Sequence, residues 1–253
     1  MVLEYAIQSG LGFALITGEV GSGKTILVRQ LLDQYNDTIR VALVNASRQV
    51  RRNLLQWVCA ACDIDTQDAS AADSHSRFND YLVSQYAGGK RVVLVVDEAQ
   101  NLGGRGLEEL RILSNINADK HLVLQTFLVG QPELRTLLQR ARLRQFAQRI
   151  SVDYHISALS AEETVDYVRH RLQIAGGSDH FISRDAILVA YERVGGIPRL
   201  INMLCDLALV YGMADGITSI GIETMQEALR DRSAGGMLPG PAVVKPAISQ
   251  LRA

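Results

Sequence analysis

Cysteine is scarce in this chain, and the three that occur, Cys59, Cys62 and Cys205, cannot build a disulfide framework. Cys59-Ala60-Ala61-Cys62 has the spacing of a redox pair or of half a zinc site. No second pair completes it, and the five histidines, His75, His121, His155, His170 and His180, are scattered. Both cysteines also fall in an apolar helical stretch, Leu54 to Cys62, where free thiols act as small hydrophobes. An excess of either charge is missing too: 26 basic residues face 27 acidic ones, for a net charge of −1. No global field therefore draws the protein to nucleic acid or to an anionic membrane, and only local patches remain for that. Long apolar runs are absent. The longest clean one, Val92 to Val96, is far short of the ~20 residues that span a bilayer, so direct membrane insertion is not expected. Met1-Val2-Leu3-Glu4-Tyr5 lacks the basic start of a signal peptide, and the expected location is cytoplasmic.

What is present is a soluble globular composition, 47% hydrophobic and 21% charged over 253 residues, enough for one large domain or two smaller ones. Gly18-Glu19-Val20-Gly21-Ser22-Gly23-Lys24-Thr25 fits G-x-x-x-x-G-K-[ST] at every constrained position. An apolar run, Phe13 to Ile16, leads in, and an amphipathic helical pattern beginning Ile26-Leu27-Val28 leads out. That strand, loop and helix frame turns successive backbone N–H groups and a helix N-terminus toward a phosphate chain. The glycines permit a tight, φ-positive turn against phosphate oxygens. Lys24 is then the cation for the β- and γ-phosphates, and the Thr25 hydroxyl a ligand for Mg²⁺. The expected nucleotide-binding set is Gly18, Glu19, Val20, Gly21, Ser22, Gly23, Lys24, Thr25 and Ile26. A glycine-rich turn that merely precedes a lysine is the bland alternative.

Arg91-Val92-Val93-Leu94-Val95-Val96-Asp97-Glu98 is a β-branched run that ends in two carboxylates. Such a run suits a parallel strand buried on both faces, and its carboxyl end then lies at the crevice where open α/β sheets bind ligands. Asp97 is expected to hold Mg²⁺, through water, and Glu98 to act as the base or orienting group for an attacking water. A helix cap with a first-turn acid is the structural alternative. Together the two motifs describe a site for hydrolysis of ATP with Mg²⁺.

The first half alternates strands and helices, with strands expected at Phe13–Thr17, Val41–Asn45, Val92–Val96, Leu122–Leu128 and Ile150–His155. From Ser160 the strands stop. Ser160-Ala161-Glu162-Glu163 reads as a capping box opening a helix through about Gln173. Further helices are expected at Ser183–Val194, Arg199–Tyr211 after Pro198, and Gly221–Asp231. The expected organisation is an α/β core over residues 1–156, a small helical lid over 157–232, and a flexible tail over 233–253.

In this order, the motifs resemble those of AAA+ ATPases, P-loop NTPases with a five-stranded parallel sheet, flanking helices and a C-terminal helical lid. More narrowly, they resemble the general secretion pathway protein A (ExeA-like) group, which includes ATPases linked to pilus and polysaccharide-export loci. The narrower likeness is carried by Leu128-Val129-Gly130-Gln131-Pro132-Glu133-Leu134 and Gly195-Gly196-Ile197-Pro198-Arg199-Leu200-Ile201-Asn202. By position, the resemblance implies that Gln131 orients the water or the γ-phosphate. It implies that Arg199 folds the lid onto the nucleotide. It implies that an arginine in Arg140–Arg149 serves a neighbouring subunit's nucleotide, with Arg144 first, Arg149 second and Arg142 third. The bland counterparts are a turn before Pro132, a surface arginine at a helix start, and a solvated or anion-binding face. Relatives carry a segment before the first strand that helps to bind adenine, and Met1 here begins within its last helix. A truncated or altered adenine pocket is the implied consequence. Membrane-spanning and cell-wall-binding portions of the group's type member are also missing from this chain.

Three functions follow. The leading one is an ATP-hydrolysing, self-associating switch acting on a protein partner in an envelope, secretion or export apparatus, placed at the inner membrane only through that partner. The second is a DNA-associated ATPase of the transposition-regulator type, using Arg48, Arg51 and Arg52 or the arginines of 135–149 on phosphates. Neutral net charge and the lack of a DNA-reading module speak against it. The third is a nucleotide-sensing scaffold without turnover, against which Lys24, Asp97 and Glu98 stand.

Overall fold

A computed structural model describes residues 2–47, 50, 53–118 and 121–235. Arg48, Arg51, Arg52 and the expected tail from residue 236 onward lie outside the described residues. The chain divides into two compact units. Unit 1 comprises Met1–Glu19 and Gly23–Ile156, and unit 2 comprises Val20–Ser22 with the chain from Ser157.

Unit 1 runs α1 (Val2–Ser9), β1 (Phe13–Gly18), α2 (Lys24–Asp33), β2 (Ile39–Asn45), α3 (Leu54–Ala61), α4 (Ala71–Ala87) and β3 (Arg91–Asp97). A 3₁₀ turn, Ala99–Leu102, leads into α5 (Gly103–Leu113). Then follow β4 (Asn117–Ala118), β5 (His121–Leu122), β6 (Leu124–Gly130), α6 (Glu133–Leu138), a 3₁₀ turn Ala141–Leu143, α7 (Arg144–Ala147) and β7 (Ile150–Ile156). Five strands form one parallel sheet in the order β2-β3-β6-β1-β7. The strand expected at Leu122–Leu128 is displaced. Leu122 belongs to the small antiparallel ribbon β4-β5, and the sheet strand begins at Leu124 and continues to Gly130. An apolar run does not show where one strand stops and the next begins; cross-strand register decides that.

The sheet is buried on both faces. Phe13, Leu15, Val92, Leu94, Val96, Leu124 and Leu128 face one core cluster, whereas Ala14, Ile16, Val93, Val95, Phe127 and Val129 face the other. Period-two alternation within uninterrupted apolar strands produces both cores. The eight-residue α1 is too short to be stable alone. Leu3, Ala6 and Ile7 bury its inner face, and its last carbonyls are taken up by the sheet. Gln125 Nε2 donates to Ala6 O at 2.7 Å, and Arg91 Nη2 donates to Ile7 O at 2.8 Å.

Unit 2 contains α8 (Ala161–Ile174), α9 (Arg184–Val194), α10 (Pro198–Ala214) and α11 (Ile222–Ala234) around one apolar core that includes Ile187, Ile201, Leu204 and Met225. Its helix starts are written locally. Ser160 and Glu163 form the expected reciprocal capping box, Ser183 accepts from Ala186 N–H, and Pro198 occupies the first turn of α10. The cysteines are buried, with Cys59 on α3, Cys62 at its end and Cys205 on α10. Among the described residues no group of acidic, histidine and cysteine side chains could cage a metal. No helix among them is long and apolar enough to cross a membrane.

Candidate functional site

In a parallel sheet all strands end at the same edge, so Gly18, Asp97 and Gly130, the last residues of β1, β3 and β6, come to one rim. The chain leaves β1 through the glycine-rich loop, where Gly21 at φ 83° and Gly23 at φ 86° hold left-handed backbone. Lys24, the first residue of α2, folds its side chain back over that loop. Its ammonium donates to Gly18 O at 2.9 Å and to Glu19 O at 2.8 Å. Two of three N–H donors are thereby spent on the loop, and one remains. Burial pulls the Lys24 pKa below its ordinary 10.5, against the opposing fields of Glu98, Asp97 and Glu19.

The next residue reaches across the rim. Thr25 Oγ1 donates to Asp97 Oδ2 at 2.6 Å, and Asp97 Oδ1 accepts from the Glu98 N–H at 2.8 Å. This hydroxyl and carboxylate suit Mg²⁺, which prefers oxygen, takes few protein ligands and keeps much of its water. Such a set fits a cation arriving with a phosphate chain, not one caged by the protein.

Glu98 sits in the left-handed region at φ 51°, costly for a residue with a side chain. That backbone turns the chain sharply into the Ala99–Leu102 turn, and Asn101 N–H closes on Glu98 O at 2.9 Å. The Asn101 side chain ties the turn to the end of β2 by donating to Ala46 O at 3.2 Å. The Glu98 carboxylate receives Gln131 Nε2 on Oε2 at 3.1 Å. Lys24, Thr25, Asp97, Glu98 and Gln131 thus share one rim. The same oxygen receives Gln100 Nε2, a contact that the sequence reading missed; its only signal was an amide beside the Asp-Glu pair. Thr17, just before Gly18, also pairs unannounced with His155 Nδ1 at 3.0 Å.

The remaining expected residues lie elsewhere. Ile26 is 73% exposed on α2. Val20–Ser22 cluster with unit 2, where Gly21 O accepts from the Arg199 backbone N–H at 3.2 Å. The arginine segment is pinned by Leu143 and Phe146, the latter 4.8 Å from the Phe13 ring, which leaves Arg142, Arg144 and Arg149 exposed. Arg149 precedes β7 at the end of the sheet opposite Gly18, since Ile150 is paired with Phe13. Its guanidinium is held by Asn115 Oδ1. The Arg142 guanidinium packs against α5 at Gly104, and Arg144 opens α7. Among the described residues, none of these three forms a hydrogen bond or ion pair with Lys24, Thr25, Asp97, Glu98 or Gln131.

Residues 7–138 match the AAA domain family. The chain is 41% identical over 215 residues to general secretion pathway protein A of Aeromonas hydrophila, covering 85% of this chain. It spans 39% of that relative's length. Among solved structures, the ORC2 protein of Aeropyrum pernix superposes with a TM-score of 0.71 at 17% identity, over 92% of this chain and 65% of that one. Domain III of the Thermotoga maritima replication initiation protein DnaA gives 0.62 at 20% identity, over 91% of this chain and 88% of that one. At such identities the two structures speak for the fold alone.

Proposed function

The chain belongs to the AAA domain family, and from that premise we propose that it binds and hydrolyses ATP with Mg²⁺ at the rim of unit 1. The observation that carries the reading is the bond from Thr25 to Asp97 across the rim, flanked by Lys24 on one side and Glu98 on the other. The free donor of Lys24 serves the β- and γ-phosphates. Thr25 and Asp97 hold the cation, which when bound neutralises phosphate charge. Oε2 of Glu98 is already engaged by amides, so Oε1 is the oxygen left to take a proton from water as that water attacks the γ-phosphorus, the bond to the β-phosphate oxygen breaks and ADP leaves. Gln131 orients the water or the phosphoryl group in transfer.

Turnover proceeds in a homo-oligomer. Arg144 of one subunit compensates charge on the phosphoryl group of the next, a role that its exposed position at the start of α7 supports. The likeness to general secretion pathway protein A supports a protein partner in a secretion, pilus or polysaccharide-export apparatus. It also supports work on the cytoplasmic side of the inner membrane through that partner.

Binding and turnover are tested apart. Lys24→Ala is expected to abolish ATP binding. Glu98→Gln is expected to keep ATP bound and lower phosphate release by about 10²–10⁴-fold. A Glu98→Gln protein that hydrolyses ATP at the wild-type rate refutes the assignment of the base. Hydrolysis per subunit is expected to rise with protein concentration. Arg144→Ala loses that rise, by roughly 10³-fold or more, and regains turnover when mixed with Glu98→Gln subunits. A persistent monomer with concentration-independent activity removes Arg144 from the mechanism.

A further inference from the structure

Two amides converge on one oxygen of Glu98, and the shorter bond is that of Gln100, at 2.5 Å. Gln100 is held at its other end as well, because its Oε1 accepts from the Gln131 backbone N–H at 3.2 Å. With the Gln131 side chain also on Glu98 Oε2, the three residues close a ring. The ring has one possible polarity. A carboxylate only accepts and a backbone N–H only donates, so the Gln100 amide must turn nitrogen to one and oxygen to the other. Space for it comes from Gly130. A β-carbon there would stand 2.6 Å from Gln100 Oε1 and 2.8 Å from Leu134 Cδ2. The left-handed backbone at Glu98 persists because its surroundings over-determine it. Main-chain bonds to Asp97 and Asn101 fix the backbone, and the amide ring fixes the side chain.

We propose that Gln100 is a positioning residue for Glu98: it occupies Oε2 and aims Oε1 at the attacking water. It also ties that carboxylate to the strand end carrying Gln131, so the base and the phosphate-facing amide move as one body. The inference rests on the hydrolytic reading of this rim. Gln100 acts through Glu98, so its loss spares nucleotide binding.

Gln100→Met keeps the side chain's length and removes both of its bonds. It should lower kcat roughly 10–100-fold, the range expected for losing a hydrogen bond to a charged group, while KM for ATP stays within about twofold and the melting temperature holds. Gly130→Ala leaves Gln100 in place but fills its space, and should cost kcat similarly. The double variant should lose no more than the worse single one, since both remove the same bond. Wild-type kcat in Gln100→Met, or a KM rising as fast as kcat falls, overturns the proposal.

The ring has a second readout in NMR spectra of the full chain. The Gln131 backbone amide should shift upfield and exchange faster in Gln100→Met. The Gln100 carboxamide protons should shift upfield in Glu98→Gln. Hydrolysis without these signatures removes the ring alone. Signatures in a wild-type protein that hydrolyses no ATP remove the hydrolytic reading, and with it the ring's catalytic purpose.

Discussion

In unit 1 the contacts that shape the site join distant parts of the chain. Thr25 meets Asp97 across 72 positions and Gln131 meets Glu98 across 33, because β1, β3 and β6 end at one rim of a parallel sheet. In unit 2 the polar contacts that start helices are local, from Ser160 to Glu163 and from Ser183 to Ala186. The difference separates two jobs. A parallel register, buried on both faces, is hard to slide and so holds the side chains of the rim in fixed geometry. A helical bundle with local caps fixes its own shape from short segments and needs no distant strand to do so.

The sharpest way to break this comparison is to open one core and watch the other. Phe127→Ala removes a fully buried ring from the core cluster that β6 shares with α1 and α2, and should cost about 3–5 kcal/mol. Ile187→Ala does the same to unit 2, at about 2–5 kcal/mol. Hydrogen exchange of the full chain should show lost protection in the β1, β3 and β6 amides for the first change and in α8 to α11 for the second. If Ile187→Ala lowers protection equally in the sheet, the two units unfold as one body and the contrast fails.

A smaller effect sharpens it. Ser160→Ala deletes the capping box of α8 and should cost about 1 kcal/mol. Exchange should quicken at the start of α8 and through unit 2, and leave the β3 amides unchanged. An equal loss in both units speaks against local control.

The smallest effect near neutral pH comes from the buried thiols. Burial pushes Cys59 up to about 11, and Cys62 and Cys205 up to about 12, from an ordinary 9.0. A raised folded-state pKa means that the folded protein keeps a proton which the unfolded chain releases. Their contribution is therefore complete below about pH 9 and is lost as pH climbs toward 11 and 12, by at most about 1.4 kcal/mol per pH unit for each thiol. Lys24 has the opposite sign, since its lowered pKa makes folding costlier while the ammonium is charged and relieves that cost as pH rises. Denaturant midpoints between pH 8 and 11 should fall overall. Cys205→Ala should flatten the fall in unit 2 and leave that of unit 1, where Cys59 and Cys62 remain. An unchanged slope refutes the attribution.

Much of this was legible in the residues. The P-loop, the Asp97-Glu98 strand end, the Ser160 capping box and the burial of both Cys59 and Cys62 rest on short patterns whose physics is local. The boundary of β6 was not, because Leu122 and Leu124 are equally apolar and only pairing separates the ribbon from the sheet. Gln100 was invisible for a related reason. A glutamine after an acidic pair reads as a turn residue until β6 brings Gly130 and Gln131 beside it. The arginine segment showed its charge in sequence, whereas the position of Arg149 at the opposite end of β7 from the P-loop came from strand direction.

The sequence by itself determined the phosphate-binding frame and the acidic strand end, because the glycine loop with its lysine, and the apolar run with its two carboxylates, are each short local patterns. It also determined how α8 and α9 of unit 2 begin, because each start is capped by a serine paired with a residue three positions on. Only the tertiary structure decided which oxygen of Glu98 the two amides hold, and that Arg149 lies at the end of the sheet opposite Gly18. Those facts depend on strand order and register, which arise when distant segments bury their apolar faces against one another, and no local pattern encodes that choice.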